Sequence, residues 1–204
     1  MAGPALPMYG HSVVKTPHLA RLAEHGTTFL NAYCNNPVCA PSRFSMMSGQ
    51  LSSRIGAYDN ASEFPASIPT FAHYLRDAGY KTCLSGKMHF VGPDQLHGYE
   101  ERLTTDIYPS DFGWTSDWSQ TDYPFAPSVM SLRGVVESGL CQRSLQLDYD
   151  DEVSFTSTKK IFDYARDQDD RPFFLTASFT HPHNPFTITE EYWNRYSDDE
   201  INMP

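Results

Sequence analysis

The sequence predicts an α/β fold. Helix and strand signals take turns along the chain, and the early helices open at a proline and close at a glycine. The run "RPFFLTASF", residues 171–179, is apolar on both faces, as in a parallel sheet covered by helices on either side.

The elements follow in order. Thr16 and Pro17 read as N-cap and first turn of a helix with Leu19, Leu22 and Ala23 on one face, stopped at Gly26. "TTFLNAYC", residues 27–34, is rich in β-formers and predicts a strand running to Cys34. Pro41 to Met47 predicts a short helix closed by Gly49. "SIPTFAHYLRDAGY" predicts another, with Phe71, Tyr74, Leu75 and Ala78 as its buried stripe, leading into the strand "KTCLSG". A longer helix is predicted from Asp150 to Gln168, before the strand at 171–179. Between Gly92 and about Gln146 the periodicity fades. That stretch is too long for an ordinary connection, and Tyr108, Phe112, Trp114, Trp118, Tyr123 and Phe125 argue for a folded excursion over disorder.

Composition narrows the function. The 204 residues suffice for the core of one domain, read here as spanning 1–204. Lys and Arg number 15 against 25 Asp and Glu, for a net charge of −10, and no basic cluster appears. A nucleic-acid or anionic-membrane partner is therefore not expected. No run reaches the roughly 20 apolar residues that span a bilayer, and the opening lacks a secretory pattern, so a cytoplasmic location is the expectation. Oligomeric state is open, a homo-oligomer included. The cysteines Cys34, Cys39, Cys83 and Cys141 form no zinc-type spacing, and at least one free thiol is expected.

Cys39 stands out. In "NPVCAPSRFSMMSG", residues 36–49, it precedes a helix start, where unpaired amides and the macrodipole favour an anion, and Arg43 returns to the same side one turn on. A buried structural cysteine is the plainer reading of one thiol alone. "GYKTCLSGKMH", residues 79–89, places Lys87 and His89 on one side of an extended run, a point charge and a proton carrier together. "SFTHPHNPF", residues 178–186, puts His181 and His183 just beyond a strand's carboxyl end, the usual position of an α/β active site. The H-x-H spacing is also compatible with a metal.

These strings together resemble the sulfatase family. C-x-P-S-R followed by apolar residues and a glycine is similar to its first signature, with Ser48 where Thr or Ala is commoner, and the run ending Gly-Lys-Met-His resembles its second. Residues 56–114 look most like the choline-sulfatase branch. The resemblance implies a three-layer, alkaline-phosphatase-like domain with a largely parallel central sheet, incomplete in this chain. It also implies conversion of Cys39 by a formylglycine-generating or sulfatase-maturating enzyme to formylglycine, whose hydrate is the nucleophile. Arg43 and Lys87 would hold the nucleophile and the developing charge, His183 would protonate the leaving alcohol, and His89 would be the base that lets the second hydroxyl expel sulfate. For choline sulfate the resemblance offers Trp114 as a ring for the trimethylammonium, Asn60 as a polar contact near the nucleophile, and His181 as a further substrate contact.

The family's cation, usually Ca²⁺, is held by paired aspartates upstream of the first helix here and by residues far downstream. Neither group occurs in this sequence, which leaves the formylglycine oxygen from Cys39 as the expected ligand. Asp150-Asp151, Asp169-Asp170 and Asp198-Asp199 read instead as helix caps or solvated turns. Two alternatives stand beside a choline-sulfate hydrolase: a catalytically incompetent sulfatase-like fragment, and a phosphonate or phosphate monoester hydrolase of the same superfamily.

Overall fold

A computed structural model describes residues 5–108, 119 and 132–201. The chain divides into two compact units. The smaller comprises residues up to Tyr33, Gly139–Gln142 and the chain from Thr187; the larger comprises Cys34–Ser138 and Arg143–Phe186.

The smaller unit holds helix α1 (Pro17–Glu24), with proline at its first position and no side-chain cap. It also holds a two-residue parallel pairing of β3 (Gly139–Leu140) with β5 (Thr187–Ile188), and the short helix α6 (Glu190–Trp193). The Tyr196 hydroxyl accepts the Lys15 N–H at 3.0 Å. The predicted strand at 27–34 is absent: Phe29, Leu30 and Tyr33 are exposed in irregular backbone. A β-former becomes a strand only when a neighbour pairs with its backbone, and none of the described strands does so.

The larger unit is organised on a parallel sheet of order β2-β1-β4, formed by β2 (Glu101–Arg102), β1 (Lys81–Gly86) and β4 (Phe173–Ser178). β1 pairs with β4 along its whole length, from Lys81↔Phe173 to Gly86↔Ser178. Alternation along β1 sends Cys83 and Ser85 to one face and Thr82 and Leu84 to the other. On the first face lies helix α5 (Leu145–Arg166), where the Ser85 hydroxyl sits 2.9 Å from that of Thr156. The second face carries helices α2 (Cys39–Ser48) and α3 (Phe71–Asp77) over a fully buried cluster that includes Phe44, Met47, Phe64, Ala72, Leu84, Phe90 and Tyr99. Phe44 stacks on Phe64 with ring centroids 4.5 Å apart. The unit is thus a helix, sheet, helix sandwich. A four-residue helix, α4 (Arg133–Val136), completes its elements among the described residues.

Four expectations need correction here. In α3, Phe71 packs against the core as expected, whereas Tyr74 and the C-cap Ala78 are exposed and the fully buried residue is Ala72: a helix this short turns only one narrow stripe to the sheet. The long helix begins at Leu145, five residues before the predicted start, because the Ser144 side chain accepts the Leu147 N–H at 3.2 Å and so sets the N-terminus. β4 is half exposed, being the edge of the described sheet. The first part of the expected excursion is core instead: Tyr99 and His97 are fully buried, and β2 pairs with β1. Among the described residues no helix is long and apolar enough to cross a membrane.

Candidate active site

The candidate site forms where β1, β4 and α2 bring their ends together. Val38 is extended and Cys39 opens α2. Asn60 caps this turn by accepting the Ala40 N–H on Oδ1 at 3.0 Å. Hydrogen bonds to His183 and His89, then the charge of Lys87, outweigh burial and hold the Cys39 thiol down at about 5. Cys39 is therefore built as an anion, inside an arc of nitrogen donors.

β1 delivers Lys87 and His89. Its last residue, Gly86, has φ +106, and a Cβ there would lie 2.0 Å from the Ser178 carbonyl oxygen, so the close approach of β1 and β4 requires glycine. The Lys87 N–H then donates to Ser178 O at 2.9 Å. Lys87 is buried, and its ammonium lies 4.2 Å from the centre of the Tyr108 ring. Burial lowers it to about 8, countered by the negative charge at Cys39. His89 is buried in the left-handed region, at φ 56. Arg43, one turn into α2, donates through Nη1 to the Lys87 carbonyl at 2.7 Å and to the Ser178 hydroxyl at 3.1 Å. It thereby ties the helix to both strand ends, and burial lowers its pKa.

β4 delivers the histidines. His183 Nδ1 lies 2.8 Å from the Asn184 carbonyl, which can only accept, so that bond places the proton on Nδ1 and leaves Nε2 for the site. The Tyr108 hydroxyl stands 3.0 Å from the same ring. His181 turns elsewhere: its Nδ1 bonds Asp150 Oδ2 at 2.7 Å. The structure thus brings Cys39, Arg43, Lys87, His89 and His183 together, with Asn60 on the helix start and His181 on a carboxylate. Trp114 lies outside the described residues.

Sequence reasoning missed Asp106, Tyr108, Asp150 and Ser178. Asp150 corrects an expectation directly, because it is a largely buried member of α5 that accepts the backbone N–H groups of Thr180 at 2.6 Å and His181 at 2.9 Å. A helix start at Asp150, as the sequence predicts, makes this residue an acidic cap. With the start at Leu145, the spacing Gln146, Tyr149, Asp150, Val153 would have marked an inward stripe. Asp106 is buried and accepts the N–H groups of Met88 at 2.9 Å and His89 at 2.5 Å; no local pattern signals this.

The implied Ca²⁺ finds no cage here. Among the described residues no group of three or more His, Cys, Asp or Glu could hold a metal ion, and the nearby carboxylates Asp106 and Asp150 are engaged by backbone amides. The described residues therefore do not fit a metal site.

A hydrolase-type arrangement on an α/β sheet agrees with what the chain is similar to. The family model described as "Sulfatase" matches residues 1–203, and the chain belongs to the sulfatase family. A choline-sulfatase of Rhizobium meliloti (strain 1021) is 51% identical over 191 residues, 92% of this chain and 37% of the relative. An uncharacterised sulfatase of Escherichia coli (strain K12) is 30% identical over 198 residues, 93% of this chain and 38% of the relative. The chain thus spans a little over a third of the length of these relatives. Among solved structures, the phosphonate monoester hydrolase of Agrobacterium radiobacter matches with a TM-score of 0.65 at 22% identity, over 96% of this chain and 42% of that one. The α/β, parallel-sheet architecture expected from the sequence is the fold of these proteins, present here in part.

Proposed function

We propose that the chain carries the nucleophile and the sulfate-facing side of a sulfuric ester hydrolase, with choline sulfate as substrate. One observation carries the reading: Lys87, His89 and His183, from two different strand ends, converge on Cys39 at the start of α2. The relative named choline-sulfatase, at 51% identity, supports the substrate.

The site's residues fit formylglycine at position 39, made by a maturation enzyme; hydrated, that aldehyde supplies a geminal diol able to attack sulfur and afterwards to release sulfate. The ammonium of Lys87 and the positive end of the α2 dipole stand toward the anionic ester. Arg43 holds the two strand ends at fixed separation. With Nδ1–H held by the Asn184 carbonyl, His183 in its doubly protonated form donates from Nε2–H to the departing alcohol oxygen. His89, held beside Cys39, accepts a proton from the nucleophilic side. Asn60 fixes the turn that aims residue 39, and Trp114 is assigned to the trimethylammonium. Ca²⁺ is proposed for the whole protein, and no step above depends on it.

Mass spectrometry of the peptide spanning Cys39 is expected to show –CH₂SH replaced by an aldehyde. The converted protein supplied with Ca²⁺ is expected to hydrolyse choline sulfate in preference to a phosphonate monoester. Absence of turnover by the converted protein with Ca²⁺ in the buffer would overturn the reading for this chain, and preference for the phosphonate would replace its substrate.

A further inference from the structure

We propose that Asp106 and Asp150 are a matched pair of positioning residues: each carboxylate accepts two consecutive backbone N–H groups from one of the two loops that build the site. Together they set where Lys87, His89 and His183 stand around residue 39. The idea rests on the reading of Cys39 as the seat of the nucleophile.

The correspondence is close. The loop after β1 is held by Asp106 Oδ2, which accepts from Met88 at 2.9 Å and His89 at 2.5 Å. The loop after β4 is held by Asp150, with Thr180 on Oδ1 at 2.6 Å and His181 on Oδ2 at 2.9 Å. Each carboxylate also bonds a side chain: Arg102 at 3.2 Å for Asp106, and His181 Nδ1 at 2.7 Å for Asp150. The Asp106 side chain is 4% exposed and that of Asp150 14%. A carboxylate so far from water is costly unless its lone pairs are filled, and here they are filled by loop amides that no helix or sheet pairs.

Both anchors act one step from the chemistry. Asp106 also receives the Tyr108 N–H on Oδ1 at 3.3 Å, and Tyr108 in turn meets His183 and covers Lys87. The turn clamped by Asp150 is closed by His183 N–H donating to the Thr180 carbonyl at 3.1 Å. His89 sits at φ 56, a conformation a non-glycine residue keeps only when its surroundings impose it, and the bond from its own N–H to Asp106 is such a constraint.

Hydrogen exchange on the unaltered protein tests the anchors first. The amides of Met88, His89, Thr180 and His181 are expected to exchange slowly despite lying in loops; fast exchange at all four overturns the proposal. Asp150→Asn tests the consequence, since an amide puts an NH₂ donor where one acceptor oxygen stood, against the N–H of Thr180 or His181. In converted protein, kcat is expected to fall ~10- to 100-fold with KM for the ester nearly unchanged. In unconverted protein, alkylation of Cys39 by iodoacetamide at neutral pH is expected to slow about 10-fold as His183 moves away. A folded Asp150→Asn protein with both rates unchanged overturns the proposal. The alkylation result needs no ester turnover, so it stands if the hydrolase reading fails. Should the variant not fold, exchange in the unaltered protein decides.

Discussion

Cys39 receives hydrogen bonds from His183 and His89, residues far from it in sequence, and faces the charge of Lys87. Its thiol sits at about 5, whereas burial pushes the Cys83 thiol up to about 11. The unconverted protein treated with iodoacetamide at about pH 6 is therefore expected to be labelled at Cys39 before Cys34, although Cys34 is exposed and Cys39 only partly so. The Cys39 rate should rise with pH through about 5 and level off, as the thiolate fraction saturates. Peptide mass mapping reads the order, and earlier labelling of Cys34 would count against the geometry. Cys39, Arg43, Lys87, His89 and His183 were legible because their strings carry them. Asp106 and Asp150 were not, since an aspartate that serves a loop distant in sequence looks locally like any solvated one.

At the scale of elements, the site depends on how closely β1 and β4 run at their carboxyl ends. Gly86 makes that approach: any Cβ would enter the Ser178 carbonyl, and φ +106 is strained for other residues. Gly86→Ala is expected to cost at least about 3 kcal/mol, read as a lowered denaturant midpoint, because both the backbone conformation and the strand spacing must give. An unchanged midpoint would mean the strands can part freely. α5 complements this arrangement, since one face reaches the segments after β2 and β4: Tyr149 donates to the Thr105 carbonyl at 2.8 Å, Gln146 to the Asn184 carbonyl at 2.6 Å, and Asp150 clamps the β4 loop. The strands "KTCLSG" and "FFLTAS" were readable from β-rich composition and bounding turns. The one expected at 27–34 was not realised, because propensity supplies residues fit for a strand and cannot supply the neighbour that pairs with it.

For the whole molecule, stability is coupled to pH through His97, fully buried between Phe64, at 4.1 Å, and Phe90, at 4.5 Å. Burial lowers its pKa to about 4; Asp94, 3.5 Å away, works against this, while His73 and Arg102 add to it. The unfolded chain takes up a proton at His97 below about 6.5, and the folded one only near 4. This contribution is thus complete above 6.5 and lost as pH falls from 6.5 to 4. The denaturant midpoint is expected to decline across that window, and His97→Asn, uncharged and tolerant of the φ of 41 found here, should flatten the decline. An equal slope in the variant would assign the loss elsewhere. By itself the sequence determined the α/β class, a short helix over Pro41–Met47 beside Cys39, the strands β1 and β4 and the strings that hold the candidate site residues, because these reside in short contiguous patterns of propensity, caps and motif. Only the tertiary structure decided which strand pairs, where α5 starts to face the sheet, and which carboxylates hold the loops. Those depend on groups up to tens of residues apart meeting across a shared core, a juxtaposition that no local pattern encodes.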